Sequence, residues 1–571
     1  MAIILGIHWG YHDSSATLFD DYKLIAAVQK ERLSRVKKEG GDPSACIEEV
    51  LQIAGLKISD IDVAAFSRLF VERRMLKLSL WRKLLEYLQG KAHAPVDLAK
   101  RMHREKTTSP SDVLDLEKLR RHFKLPKRTK IHFYNHHEAH ALPALFYTEW
   151  NNALIYTADG YGDNVNYSHR IFRDHSLTCL YGDDTWLTKA YEHNSIAKAY
   201  MFVTEALGFK PNSHEGKVTG LAAFGQPELV DEFLAPYTVD EAGNIHGSFS
   251  DDASHRKYYF DLCKKTTREN CAASIQEATE RLLIQSISTI LGREKVSHVG
   301  LAGGLFANVK LNQRIAELTG VDEIFVVPPM GDEGLTIGGV LGYLLERDGL
   351  QSWLSRRHKL KDVYTARDFD SVATARILAC NRSIFKIDGA PAETAAKLIA
   401  GDAVVATFAG KMEFGPRALG ARSILASPHR RDINDTINKR LERSEFMPFA
   451  PVVARQDAQI VFEINPINSY ASEFMTVTCN VRKEWLDRIP AVVHVDGTAR
   501  PQIIDRNRNP LYFDILEKFK NITGLPVLIN TSFNVHEQPI INTPEEAAIA
   551  LVDNRIDYLV TNEAVFGFHR S

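Results

Sequence analysis

The stretch Ala153-Leu-Ile-Tyr-Thr-Ala-Asp-Gly-Tyr-Gly-Asp163 decides the architecture of this 571-residue chain. Residues 153–158 form an apolar run of strand length, as expected of a strand buried on both faces. The run ends in Asp159, Gly160, Gly162 and Asp163. A carboxylate at a strand end, beside glycines that let a backbone approach a ligand, is the chemistry of a binding site. A plain β-turn is the competing reading. Outward from there, 296–302 and 323–327 have the same buried-strand character, with helical stretches such as 272–291 between them. That alternation predicts α/β architecture with layered sheets. Toward the N-terminus, 2–7, 15–19 and 24–29 read as a β-meander, followed by a polar loop over 31–38, a helix over 44–54 and a strand over 63–67. Toward the C-terminus, 345–385 is charged and weakly periodic and reads as a linker. A second unit follows, with strands at 403–408 and 526–529. The expected domains are therefore 1–365 and 386–571, and no repeat or low-complexity tract is visible.

At about 150 residues per domain the length allows two to four domains. The composition, 44% hydrophobic and 25% charged, is that of a folded globular protein. Seventy Lys and Arg against 72 Asp and Glu leave a net charge of −2, which argues against a strongly basic nucleic-acid binder. The average hides a segment: 68–130 holds 18 Lys and Arg against 7 Asp and Glu, a net +11. It reads either as a solvated helical insertion, with helical apolar spacing over 75–89, or as a wall that attracts an anionic substrate. The six cysteines are scattered and no CxxC occurs, which excludes zinc fingers and thioredoxin-type motifs. Without a signal-peptide pattern or a run of eighteen apolar residues, a cytoplasmic location with no membrane partner is expected.

The sharpest chemical feature is His136-His137-Glu138-Ala139-His140. On a helix, His136 and His140 stand at i and i+4 on one face and can hold one divalent ion. A surface pair would have the same spacing, and the HExxH order of zinc proteases is absent. Asp159 is a plausible third ligand. Asp332, in Pro328-Pro-Met-Gly-Asp-Glu-Gly334 after another buried strand, is a fourth. Two imidazoles and two carboxylates suit iron(II), manganese or zinc. Leu301-Ala-Gly-Gly-Leu-Phe-Ala-Asn308 is a strand, a glycine pair and a helix start, which offers backbone N–H groups to an anion or serves helix packing. His12-Asp13 at the first hairpin is a candidate general base or a turn-stabilising pair. The segment 213–225 carries Glu215 and Lys217 in a glycine-punctuated stretch. In the second unit Lys411, Arg417, Arg422, Arg443 and Arg500 sit among Gly, Pro and aromatic residues, with Asn530 and Ser532. Guanidinium groups with Asn and Ser form a phosphate or carboxylate receptor, although a lone Arg is more often a surface ion pair.

Taken in order, these blocks resemble the antibiotic and nodulation-factor O-carbamoyltransferase family. The carriers are His12-Asp13-Ser-Ser-Ala, HHEAH at 136–140, DGYGD at 159–163, GGLFAN at 303–308, MGDEG at 330–334, EFGPRALGARSI at 413–424, HVDGTARPQ at 494–502 and NTSFN at 530–534. The resemblance implies an N-terminal domain of the ASKHA (actin and sugar-kinase-like) type, in the version used by tRNA threonylcarbamoyl transferases, and a YrdC-like C-terminal domain. It implies a metal, usually iron(II), at His136, His140, Asp159 and Asp332. It implies that ATP and carbamoyl phosphate give carbamoyladenylate and pyrophosphate, and that the carbamoyl group then passes to the hydroxyl of a small acceptor. His12, with Asp13, matches the base. Lys411, Arg417, Arg443, Arg500, Asn530 and Ser532 match the carbamoyl-phosphate site. Gly303, Gly304 and Asn308 match nucleoside contacts, with Gly160 and Lys217 also facing the co-substrates. Leu441 and Met447 depart from positions that are often basic in the family, and Thr219 replaces a Met. A tRNA threonylcarbamoyl transferase and a non-catalytic nucleotide-binding scaffold are the rival readings. No nucleic-acid partner is expected, and a homodimer is left open.

Overall fold

The structure is a computed structural model that describes residues 2–68, 70–443 and 448–569. It is a mixed α/β protein built on three large sheets. The first contains β1 (Ile3–His8), β2 (Ser15–Asp20), β3 (Lys23–Gln29), β4 (Val63–Ser67) and β5 (Lys130–Tyr134), in the order β3-β2-β1-β4-β5. The first three strands form the expected meander, antiparallel throughout, and β4 and β5 run parallel to β1. Helix α1 (Ser44–Ala54) crosses from β3 to β4, and α2 (His136–Phe146) follows β5.

The second sheet repeats this plan with unrelated sequence. Its strands are β6 (Asn152–Gly162), β7 (Val165–Arg173), β8 (Ser176–Tyr181), β9 (His298–Ala302) and β10 (Glu323–Val326), in the order β8-β7-β6-β9-β10. Again the first three are antiparallel and the last two parallel to the first. The crossover from β8 to β9 includes α3 (Glu215–Ala222) and α4 (Arg268–Glu294), that from β9 to β10 contains α5 (Val309–Ala316), and α6 (Leu335–Leu354) follows β10. Two halves of the same strand order and direction are the duplicated arrangement of the ASKHA fold. The sequence shows no repeat because topology constrains the burial pattern and leaves the residues free. The halves meet where α2 packs on α6. Gly338 makes this approach possible, because a Cβ there would stand 1.7 Å from the Ala139 carbonyl oxygen. The apolar runs of β6 and β9 are buried on both faces, as their composition requires.

The basic segment 68–130 occupies the β4-to-β5 crossover of the first half. It is not simply solvated. Met75, Leu98, Met102, Leu114, Leu119 and Phe123 join the first half's core. Arg68 is buried and ion-paired with Asp163 and Asp184 at 2.8 and 2.6 Å. The helix expected over 75–89 begins later, at Leu80–Leu88, with Ser79 as its cap, and turns Trp81, Leu84, Leu85 and Leu88 to solvent.

The third sheet has eight strands: β11 (Ile384–Ile387), β12 (Val405–Thr407), β13 (Ser423–Ala426), β14 (Ala450–Ala454), β15 (Gln502–Ile504), β16 (Val527–Ser532), β17 (Tyr558–Val560) and β18 (Val565–Phe568), ordered β11-β18-β17-β12-β13-β16-β14-β15. Separate apolar cores cover its two faces, one around Ile399, Tyr512 and Phe519, the other around Phe408, Phe462 and Trp485. The linker read at 345–385 is shorter than expected. It contains the end of α6, a helix over Ser371–Ala379 whose Leu378 enters the third sheet's core, and β11. Its charged residues lie on the outer faces of these elements, which weakens the periodic signal. Among the described residues, no helix is long and apolar enough to cross a membrane.

Candidate active site

The two halves bring their strand ends together at one place. Asn135 caps α2 by accepting from the Glu138 amide, which fixes the first helical turn directly after β5. His136 and His140 then project from one face of that turn. Asp159 lies on β6 near its hairpin, and Asp332 lies in the turn before α6. His140 Nε2 stands 3.2 Å from Asp159 Oδ2 and 3.6 Å from Asp332 Oδ1. His136 Nε2 stands 3.5 and 3.8 Å from the same two oxygens. All four donor atoms lie within 4.8 Å of one another. Ligands about 2.1 Å from a shared ion stand roughly 3.0–3.4 Å apart, so small adjustments would make this a coordination set.

The donor chemistry fits a divalent ion. His136 is buried, and neither ring nitrogen has a hydrogen-bond partner. Gly162 cradles its ring, since a Cβ there would lie 2.0 Å from His136 Cδ2. The Gly160 amide donates to Asp159 Oδ1 at 2.7 Å and the Gly304 amide to Oδ2 at 3.4 Å, which orients that carboxylate. Burial opposes the charge on Asp159, but the adjacent His136 and His140 imidazoles hold its carboxyl well below the usual range. Burial likewise opposes a charged His140, yet its hydrogen bond to Asp159 and the nearby Asp332 carboxylate lift it to about 9. His137 has no such role: its nitrogens are bonded to the Thr157 hydroxyl and the Val165 carbonyl. A second His/Glu group, His214, His536 and Glu537, is also close enough to hold an ion, but here the His214 imidazole is engaged in hydrogen bonds. The Lys210 amide donates to His214 Nδ1, so the proton sits on Nε2 and points at Glu537, 2.5 Å away. That group clasps the first unit to the loop after β16.

His12 and Asp13 lie on the β1–β2 hairpin, the place in the first half that corresponds to Asp159 in the second. His12 Nδ1 is 2.9 Å from Asp13 Oδ2 and the ring is 39% exposed. Burial disfavours its charged form, but the Asp13 bond and then the Asp332 charge outweigh this and raise it to about 9. Three neighbours escaped the sequence reading, two of them buried. Glu333 is pushed up to about 8 by burial and by Asp13. Lys38, which burial alone would lower, is raised by Asp13, Glu215 and Glu333. His8 closes β1 with its ring toward Asp332. Glu333 was visible in the MGDEG block. Lys38 and His8 gave no local signal, since one sits in a charged loop and the other in an apolar strand.

The remaining candidates fall into two groups. Gly303 adopts φ +103° where a Cβ would strike the Ala158 carbonyl oxygen, so it serves the strand packing. Asn308 caps α5 and bonds Gln276. It lies beside a cavity of about 210 Å³ lined by Gln276, Glu280, Lys310, Arg314, Thr478 and His494. Lys217 on α3 reaches His536 at 3.4 Å. In the second unit Arg443 donates to Thr531 Oγ1 and to oxygens of Ser532 and Asn534 at 2.6–3.2 Å. Asn530 is fully buried and donates to the Ala418 carbonyl and Gln502. Lys411 is exposed, and Arg500 follows the short strand Thr498–Ala499 and is half-buried. Arg417 donates to the Ala307 carbonyl of the first unit at 3.4 Å. Arg422 is fully buried against Phe408, and burial lowers it to about 10. Leu441 is a core residue, which accounts for its loss of charge. Met447 lies outside the described residues.

Two family models match in chain order: the carbamoyltransferase N-terminus over residues 3–341 and the carbamoyltransferase C-terminus over 396–567. An uncharacterized protein of Methanocaldococcus jannaschii is 31% identical across 98% of both chains. Nodulation protein NolNO of Sinorhizobium fredii is 31% identical across 96% of this chain and 78% of its own. Nodulation protein NolO of Bradyrhizobium diazoefficiens is 32% identical across 75% of this chain and 77% of its own. With both models satisfied on one continuous chain, and with relatives matched nearly end to end, this protein belongs to the carbamoyltransferase family and is a carbamoyltransferase enzyme.

Proposed function

We propose that the protein is an ATP-dependent O-carbamoyltransferase whose acceptor is a hydroxyl of a small natural product. Its main support is a juxtaposition: a paired His12–Asp13 beside a four-residue metal-type cluster, with Arg417 of the second unit reaching the Gly303–Asn308 turn of the same site. In the second unit, Lys411, Arg417, Arg443, Arg500, Asn530 and Ser532 would hold carbamoyl phosphate. Closure of the site on its substrates would limit the water reaching this labile anion to the one the reaction consumes. Atom balance requires carbamoyl phosphate, ATP and one water to give carbamoyladenylate, pyrophosphate and inorganic phosphate.

In the first unit the nucleoside would lie near Gly303, Gly304 and Asn308, in the cavity beside Gln276 and Glu280, with Gly160 and Lys217 nearby. His12 takes the acceptor's proton at its free Nε2 while Asp13 holds Nδ1 and stabilises the imidazolium. The acceptor oxygen attacks the carbamoyl carbon, the bond to the adenylate oxygen breaks, and AMP leaves. Held by His136, His140, Asp159 and Asp332, a divalent ion (iron(II), or manganese or zinc) would neutralise charge on the adenylate phosphate. Domain bounds of 1–365 and 386–571 accommodate this division of labour. The test is to incubate the protein with ATP, carbamoyl phosphate and candidate acceptors. The expected product carries a mass gain of about 43 Da, one carbamoyl for one hydrogen, formed only when both co-substrates are present. Product formed with threonine and tRNA instead would favour the rival reading.

A further inference from the structure

One buried imidazole is left without a role by the site as described. His8 ends β1, the central strand of the first sheet, paired in register with Ser15. It is 0% exposed, and neither ring nitrogen has a hydrogen-bond partner. Burying two unsatisfied polar atoms costs free energy that a leucine at the end of this apolar strand would avoid. The backbone is shaped to admit the ring: a Cβ at Gly10 would stand 2.2 Å from His8 Nε2. The ring faces Asp332, with Nε2 3.7 Å from Oδ2, while the other oxygen, Oδ1, faces His136 and His140 at 3.8 and 3.6 Å.

We propose that His8 is the outer partner of the metal-facing carboxylate: it donates Nε2–H to Asp332 Oδ2 when Oδ1 turns to the ion. A direct-ligand role is less consistent with the geometry. His8 lies outside the group of donors that are mutually within 4.8 Å, and it approaches the oxygen that points away from the other imidazoles. Ligating carboxylates are commonly held by such outer hydrogen bonds, which fix their orientation, and loss of one typically weakens metal binding 10- to 100-fold, by about that range. The assignment rests on the metal reading under Proposed function.

The test compares the full-length wild-type protein with His8→Leu, which fills the space without a donor, and His8→Gln, which keeps an N–H. Co²⁺ is titrated in competition with a chromophoric chelator, and the visible Co²⁺ bands and the metal-free melting temperature are recorded. The expected result is about 10- to 100-fold weaker binding for His8→Leu, band positions unchanged, and most of the affinity recovered in His8→Gln. Wild-type affinity in a folded His8→Leu protein would overturn the assignment. A band shift showing a lost ligand would also overturn it, in favour of direct coordination. Failure of the wild-type protein itself to bind Co²⁺ would overturn the metal reading and this assignment together.

Discussion

The cluster at the meeting of the two halves and the Arg443 network beside the third sheet treat their polar groups in opposite ways. In the cluster, donor atoms are unspent: both nitrogens of His136 and of His8 lack protein partners, and glycines 10 and 162 keep space for the rings. In the third sheet, Arg443 is committed to Thr531, Ser532 and Asn534, and the Asn530 amide nitrogen, though not its Oδ1, to Ala418 and Gln502. The first arrangement is held open by separate elements, so its residues can be removed without unfolding anything. The second is partly its own scaffold, so an anion must share or exchange its hydrogen bonds, and substitution there costs both function and stability.

The largest effect that would sharpen this contrast is at the cluster. His136→Ala and Asp332→Ala should each reduce acceptor transfer by about 10³-fold or more, the equivalent of several kcal/mol of charge neutralisation. The melting temperature should stay near that of the wild type. Arg443→Ala should act differently. The predicted loss is about 10- to 100-fold in kcat/KM for carbamoyl phosphate, together with about 1.5–3 kcal/mol of stability from charge-assisted hydrogen bonds. Chemical denaturation beside kinetics measures both, and an Arg443→Ala protein of unchanged stability would break the comparison.

A third prediction concerns pH. The base must be neutral to accept a proton, so the rate rises as pH increases through the His12 pKa, which Asp13 and Asp332 hold near 9. Asp13→Asn removes a raising charge and lowers that pKa. The acid limb of the kcat/KM profile should therefore move to lower pH, by about 1–3 units. A limb that stays in place would remove His12 as the base.

The smallest effects separate two glycines of one motif. Gly162→Ala should cost about 1–3 kcal/mol by overpacking and displace His136. Gly160→Ala has nothing within 4 Å of the new methyl and should change stability by less than about 0.5 kcal/mol. If it nevertheless slows carbamoyl transfer, the adenylate itself approaches that backbone.

Much of this was readable from local pattern. Buried apolar runs marked β1–β4, β6, β9 and β10 and, in the third sheet, β12 and β16 but not its other strands, and the i, i+4 spacing placed His136 and His140 on one face of α2. What was not readable depended on contacts distant in the chain. His137 looks like its neighbours until Thr157 and Val165 claim both its nitrogens. His8 sits in an apolar strand, where a lone histidine reads as core, and only the turn before α6, more than 300 residues away, gives it a partner. Asn308 and Gly303 read as ligand contacts, whereas the structure also employs them as a helix cap and a strand contact. The duplicated topology left no trace in residue identity, because each half needs only matching burial and direction.

The account's central claim is a division of labour between the two regions. It is tested most directly by carbamoyl-phosphate-dependent ATP–pyrophosphate exchange, measured beside acceptor transfer in the wild type and in Asp332→Ala. The account predicts that exchange survives the substitution near its wild-type rate while transfer is lost. Loss of both activities in a folded Asp332→Ala protein, or retention of both, would contradict it.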